Sequence, residues 1–174
     1  MSLLEIMKNR RSVRKYTGEA IPEEKMNQIL QAALLAPSSR GRRPWEFVLV
    51  KDKELLEKLS SCREMGSAFL KDADQAVVVL GDTSLTDVWV EDCSIAMTMM
   101  YLMADSLGVG CCWIQGRNRF AKEGVTTESY VKELLEIPEQ YALQAIMAFG
   151  IPENHPEGYD LEDLCYGKIH RDYF

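Results

Sequence analysis

Arg10, Ser12 and Arg14 stand at alternate positions in the stretch NRRSVRKY, with Arg11 and Lys15 beside them. Guanidinium groups offer planar forks of N–H donors and a short hydroxyl adds one more, so Arg-x-Ser-x-Arg can grip a phosphate monoester from one turn of chain. A second stretch of this kind is Ala36-Pro37-Ser38-Ser39-Arg40-Gly41-Arg42-Arg43-Pro44-Trp45. Its proline and glycine fix a loop in one shape and expose its backbone N–H groups. A third, Gly108-Val109-Gly110-Cys111-Cys112-Trp113-Ile114-Gln115-Gly116, brackets an apolar run with glycines. Backbone near Gln115 and Gly116 can therefore come close to a flat ring. Each stretch has an ordinary alternative: surface charge, a surface turn, a core strand.

The charge distribution bears on that choice. Residues 1–51 carry ten Lys/Arg against five Asp/Glu, a net +5, and residues 52–174 carry ten against twenty-two, a net −12, in a chain of net −7. The basic first third is expected to meet an anion. A nucleic acid asks for a longer basic face with interleaved aromatics, and the acidic remainder would repel it, so no nucleic-acid partner is expected. A small phosphate-bearing molecule fits better.

With 174 residues, 47% of them apolar, the chain is long enough for one compact domain spanning 1–174. No run reaches the roughly 18 apolar residues that span a bilayer, and the start MSLLEIMKNR has no signal-peptide core. A soluble cytoplasmic protein with no membrane partner is expected. Cysteines 62, 93, 111, 112 and 165 form neither a CxxC pair nor a zinc spacing, which predicts buried reduced thiols. His155 and His170 stand apart from them, so no metal site is expected. The motifs GxGxxG, GxxxxGK[ST], HExxH and GxSxG are absent.

Several elements must position these residues. Leu3, Leu4, Ile6 and Met7 predict a short helix that delivers the basic stretch at its end. Pro22 with Glu23 and Glu24 predicts the first turn of a helix whose apolar face is Met26, Ile29, Leu30, Ala33 and Leu34, stopped by Pro37. Strands are expected at 45–50, 76–80, 111–115 and 143–150, and helices at 53–61, 87–107 and 127–136, the last capped by Thr126 or Thr127. The segment Val88–Leu107, apolar around most of its circumference, is expected to be largely buried as a core or dimer helix. The irregular alternation of elements gives an α+β fold class.

Together the motifs resemble the nitroreductase family of FMN-dependent flavoproteins, from about Ile6 to the carboxyl terminus. RRSVRKY resembles the family's amino-terminal signature, and APSSRGRRPWEFVLV its Pro-Ser-Ser loop running into Pro-Trp and a strand. DQAVVVLGD, LGVGCCWIQG, AFGIPE and IHRDYF are similar to later family segments. The resemblance implies a central, mostly antiparallel sheet flanked by helices in an intertwined homodimer with FMN at the interface. It implies that Arg10 and Ser12 hold the FMN phosphate, Arg11 lies against the phosphate or ribityl chain, and Arg14 stands beside the pyrimidine edge. Pro37, Ser38 and Ser39 would reach the partner's FMN, with Arg43 as a further contact where the family commonly has Asn-x-Gln before Pro-Trp. Backbone N–H groups near Gln115 and Gly116 would face flavin N5. Arg171, or alternatively Lys168, would complete the phosphate site. The implied activity is hydride transfer from NADH or NADPH through FMN to small planar electrophiles such as nitroaromatics or quinones, with no protein nucleophile required. Other flavin chemistry on the same fold, dehalogenation or dehydrogenation, and a non-catalytic flavin carrier are the alternatives.

Overall fold

The structure, a computed structural model, describes residues 1–174. It is built on a four-stranded sheet of order β1-β2-β4-β3, with β1 Trp45–Val50, β2 Gln75–Asp82, β3 Gly110–Gln115 and β4 Tyr141–Gly150, every neighbouring pair antiparallel. The two central strands, QAVVVLGD and YALQAIMAFG, are buried along nearly their whole length. Such strands read as apolar runs because both sheet faces are covered, and successive side chains feed opposite layers. Val77, Val79, Ala145, Met147 and Phe149 pack on one side with α2 (Glu23–Leu34) and α4 (Trp89–Ser106). Val78, Leu80, Leu143, Ile146 and Ala148 pack on the other with α3 (Lys53–Leu59) and α5 (Thr127–Leu134). Each fully buried aliphatic side chain of this kind contributes about 1.5–3 kcal/mol.

The helix ends follow from local chemistry. Ser2 and Glu5 form a reciprocal capping box for α1 (Leu3–Asn9), Asp52 caps α3, and the Thr126 hydroxyl caps α5 by accepting from Ser129 N. Pro22 takes the N-cap position of α2 rather than its first turn. The ladder between β2 and β4 shifts register so that Val79 faces Ala145 and Leu80 faces Leu143, which leaves Gln144 as a bulged residue.

Three expectations about burial are corrected. Leu34 is 59% exposed, because Ala32 rather than Leu34 completes the buried face of α2 with Met26, Ile29 and Ala33. Helix α4 is buried along Cys93, Ala96, Met97, Met100 and Ala104, yet Ile95 is 39% exposed and Met99, Leu102 and Met103 are only half-buried. Cys165 is exposed in the carboxyl-terminal tail, while the other four thiols are free and buried.

After β4 the tail first docks on the body. Thr17 N donates to Ile151 O, Glu153 N to Lys15 O, Tyr159 N to Lys8 O, and His155 Nε2 meets Asp105 Oδ1 at 2.9 Å. From Asp160 to Phe174 every residue is exposed, and its hydrogen bonds stay within the segment. No helix is long and apolar enough to cross a membrane.

Candidate functional site

Helix α1 ends at Arg10, and the chain then lies along the free edge of β3. Ser12 bridges Cys111 in parallel fashion, Val13 N donates to Cys111 O at 2.9 Å, and the buried Val13 and Tyr16 side chains pin the segment to the core. A glycine is required at 110 because a Cβ there would meet Val13 Cγ1 at 2.8 Å. This close packing holds Arg10 and Ser12 at the mouth of a cavity of about 380 Å³, shared with Met7, Thr98, Tyr101, Leu102 and Trp113. The Arg10 guanidinium stands 4.9 Å from the centroid of the Tyr101 ring. The Tyr101 hydroxyl accepts from Trp113 N at 2.7 Å and lies 3.3 Å from Ser12 Oγ. Burial pushes the Tyr101 phenol up, with the Ser12 hydrogen bond opposing, so it stays a neutral hydroxyl. No carboxylate lines the cavity, and its polar groups are one cation and several hydroxyls over apolar walls. That donor set suits an anionic group attached to an apolar body.

Tyr101 was not among the expected site residues. Its neighbours in sequence, Met100 and Leu102, make it read as one more core residue of α4. Only the spatial meeting of its hydroxyl with Ser12 sets it apart.

The remaining basic residues divide. Arg11 is turned away from the cavity: its Nη1 donates to Glu157 O and its guanidinium lies 4.8 Å from the Tyr159 ring, so it clasps the docked tail instead of standing with Arg10. Arg14 is exposed, 5.9 Å from the Phe69 ring centroid. Lys168 and Arg171 lie in the exposed tail, and no hydrogen bond or ion pair ties them to Arg10 or Ser12.

The Pro37–Ser39 loop is built elsewhere on the same chain. Ser39 N donates to Asp92 Oδ1 at 2.9 Å, in the first turn of α4, and Ser38 Oγ accepts from Arg43 N at 2.9 Å. Arg43 itself adopts a left-handed backbone with its side chain exposed. At about 1.5 Å rise per residue, Asp92 and Tyr101 lie about 13 Å apart along α4. Pro37, Ser38 and Ser39 are not among the residues that line the cavity shared by Arg10 and Ser12.

At the end of β3, Trp113 Nε1 donates to Gln115 Oε1 and Gln115 Nε2 to Arg117 O, both at 2.9 Å. Gly116 N and Arg117 N both donate to the carbonyl of the bulged Gln144, at 3.3 and 3.0 Å. The Gly116 N–H is thus engaged within the sheet, and a Cβ at 116 would meet Leu143 Cδ2 at 2.6 Å. Close packing on β4 accounts for this glycine without any ring beside it. Burial pushes the Cys111 and Cys112 thiols up, which keeps both as neutral, poorly nucleophilic groups.

The Nitroreductase family model matches residues 7–87 and 61–151, covering the Arg10–Ser12 cavity, the Pro37–Ser39 loop and the end of β3 but not the tail beyond Ile151. The chain belongs to the nitroreductase family. It is 38% identical over 171 residues to a Methanothermobacter thermautotrophicus protein provisionally assigned as an NADH dehydrogenase/NAD(P)H nitroreductase, covering 94% of this chain and 84% of that one. An FMN-dependent nitroreductase from Clostridium difficile R20291 superposes with a TM-score of 0.96 at 44% identity, over 98% of this chain and 99% of that one. The NADPH-flavin oxidoreductase of Vibrio harveyi is 30% identical over 162 residues, 84% of this chain and 64% of that protein. The nitroreductase fold expected from the motifs is the fold found.

Proposed function

We propose that this nitroreductase-family chain is an FMN-dependent oxidoreductase of the cytoplasm that draws hydride from NADH or NADPH and delivers it to small planar electrophiles such as nitroaromatics or quinones. The observation that carries the reading is the meeting of Arg10 and Ser12 at a cavity without carboxylates. Arg10 supplies a fixed charge and bidentate N–H donors for the FMN phosphate, and Ser12 a hydroxyl donor. Met7, Leu102 and Trp113 supply apolar wall. When bound, the flavin supplies the two-electron hydride chemistry, and the chain's task is to bind, orient and shield it. The absence of any activated nucleophile fits that division: the buried thiols are held neutral.

The protein works as an intertwined homodimer in this reading. The separation between the Pro37–Ser39 loop and the Arg10–Ser12 cavity supports it, since each loop can then complete the partner's site. So does the uncovered stripe of α4, where Met99, Leu102 and Met103 border an apolar groove with Leu3, Ile6 and Met7. The exposed tail, with Ile169 and Tyr173 bare and Phe174 stacked only on His170 of the same segment, is free to meet a second copy and to bring Arg171 or Lys168 to a phosphate there.

Anaerobic mixing of the FMN-loaded protein with NADH or NADPH tests the function. Rapid bleaching of the flavin's visible band, followed by recovery on adding a nitroaromatic or quinone, is expected. Bleaching by neither reductant would leave a flavin carrier, and recovery only with a halogenated phenol would leave a dehalogenase.

A further inference from the structure

We infer that Tyr101 is a positioning residue that fixes the Ser12 hydroxyl as a donor to the ligand's phosphate, an inference that rests on the FMN reading of this cavity. Proton bookkeeping at the three partners gives the direction. Trp113 belongs to the edge strand β3, and its backbone N–H is a donor only, so at 2.7 Å the Tyr101 oxygen must accept there. The phenol's own proton then needs an acceptor: Ser12 Oγ stands at 3.3 Å, and the other group beside both hydroxyls, the Cys112 thiol, is a much weaker acceptor. If Tyr101 donates to Ser12, the Ser12 proton is free to point into the cavity that Arg10 also faces. The opposite direction would leave the Tyr101 proton only the weak sulfur acceptor of Cys112 on the protein and turn Ser12 lone pairs toward the cavity, which an anion would oppose.

The result is a directed chain from Trp113 N–H to Tyr101 O–H to Ser12 O–H to anion, in which each donor polarises the next. The same ring sits under Arg10, 4.9 Å from the guanidinium, so one side chain orders both phosphate donors. The neutral phenol suits the role: burial raises its pKa, so it keeps the proton that the chain requires.

The test is a set of FMN and riboflavin titrations on the wild type, Tyr101→Phe, Ser12→Ala and the double variant, with the melting temperature of each apoprotein recorded. Because the chain acts on the phosphate, Tyr101→Phe should weaken FMN about tenfold, the scale of one hydrogen bond to a charged group, and leave riboflavin unchanged. Because it acts through Ser12, the same substitution in the Ser12→Ala background should cost FMN nothing further. Equal losses for FMN and riboflavin, full additivity with Ser12→Ala, or no loss of FMN affinity would each overturn the inference. A wild type that binds riboflavin as tightly as FMN would instead overturn the phosphate reading of the cavity, and the inference with it. Should Tyr101→Phe fold poorly, 3-fluorotyrosine placed at 101 keeps ring and hydroxyl while strengthening the donor. It should tighten FMN and not riboflavin, and an unchanged FMN affinity would overturn the inference equally.

Discussion

The two arginine-and-serine segments, Asn9–Tyr16 and Ala36–Trp45, have similar compositions and opposite architectures. In the first, backbone bonding and the buried Val13 and Tyr16 hold an extended chain against β3, and the polar side chains Arg10 and Ser12 are left to face a cavity. In the second, the polar groups bind the loop to itself and to α4: Ser38 Oγ takes Arg43 N, Ser39 N goes to Asp92, and Arg42 Nη1 donates to Leu85 O. Arg40, Gly41 and Arg43 all have left-handed backbones, at φ 53, 67 and 49. For the two arginines this conformation costs on the order of 1–3 kcal/mol each, held in place by the surrounding bonds. The difference shows that composition alone does not make an anion site. One segment has its donors free and aimed, whereas the other has used its serine groups to hold a rigid shape that it presents outward.

Arg10→Ala is the substitution expected to break the first segment most completely. It removes a charge-assisted contact worth about 1.5–3 kcal/mol, so FMN affinity should fall at least about tenfold in a fluorescence titration, while riboflavin affinity changes little. Arg10→Lys keeps the charge without the fork and should recover part of the loss. If Arg43→Ala matched Arg10→Ala in lost FMN affinity, the contrast between the two segments would be false.

For the second segment the support is Asp92, which is 3% exposed, with Oδ1 accepting from Ser39 and Oδ2 unpaired. Asp92→Ala leaves the Ser39 N–H without its acceptor, a loss on the order of 1–3 kcal/mol. Asp92→Asn can keep that acceptor and relieves a buried charge, so it should be the more stable of the two in urea unfolding. Equal midpoints would mean that the bond to Ser39 does not hold the loop.

Much of the fold could be read from the chain, for definite reasons. The runs WEFVLV, AVVVL, CCWIQ and the long apolar end of β4 are β-rich and bounded by turn residues, and of the two threonines that could cap the helix after 126 it is Thr126 that does. The bulge at Gln144 has no sequence mark, because it arises only where β2 and β4 pair. Within the site, Arg10 and Ser12 share one face of an extended segment, and that alternation is visible in sequence. Arg11 points the other way for the same reason, and its partner Tyr159 lies far along the chain. Tyr101 was hidden because a phenol in an apolar helix reads as core until its hydroxyl's partner is known.

Arg11→Ala sharpens the comparison at smaller amplitude. If Arg11 clasps the tail through Glu157 O and the Tyr159 ring, its loss costs about 0.5–1.5 kcal/mol of local docking and loosens residues 153–159. Faster amide hydrogen exchange or proteolysis in that stretch is expected, with FMN affinity nearly unchanged. A loss of FMN affinity equal to that of Arg10→Ala would return Arg11 to the phosphate.

The footing of the second segment on α4 can be read through Cys93, next to Asp92, whose effect is nil at neutral pH and grows only in alkali. Burial, and then the Asp92 carboxylate, push this thiol from its ordinary 9.0 up to about 12. A raised folded-state value means that the folded chain keeps a proton which the unfolded chain releases above about pH 9. The associated stability is therefore present in full below that pH and declines as pH rises toward 12, by at most about 1.4 kcal/mol per pH unit from one group. Cys62, raised to about 11 by burial, adds to the decline over the lower part of the same window. Urea midpoints measured from pH 8 to about 10.5 should fall, and fall less steeply in Cys93→Ala. Alkylation by iodoacetamide reads the same thiol directly: buried against β2, where its Sγ donates to Leu80 O at 3.4 Å, Cys93 should react slowly at pH 9, and Asp92→Ala, which removes the neighbouring carboxylate, should speed it. If Cys93 in the wild type titrates near 9.0, water reaches it, and the start of α4 that carries Asp92 is not the firm support for the second segment that its burial against β2 implies.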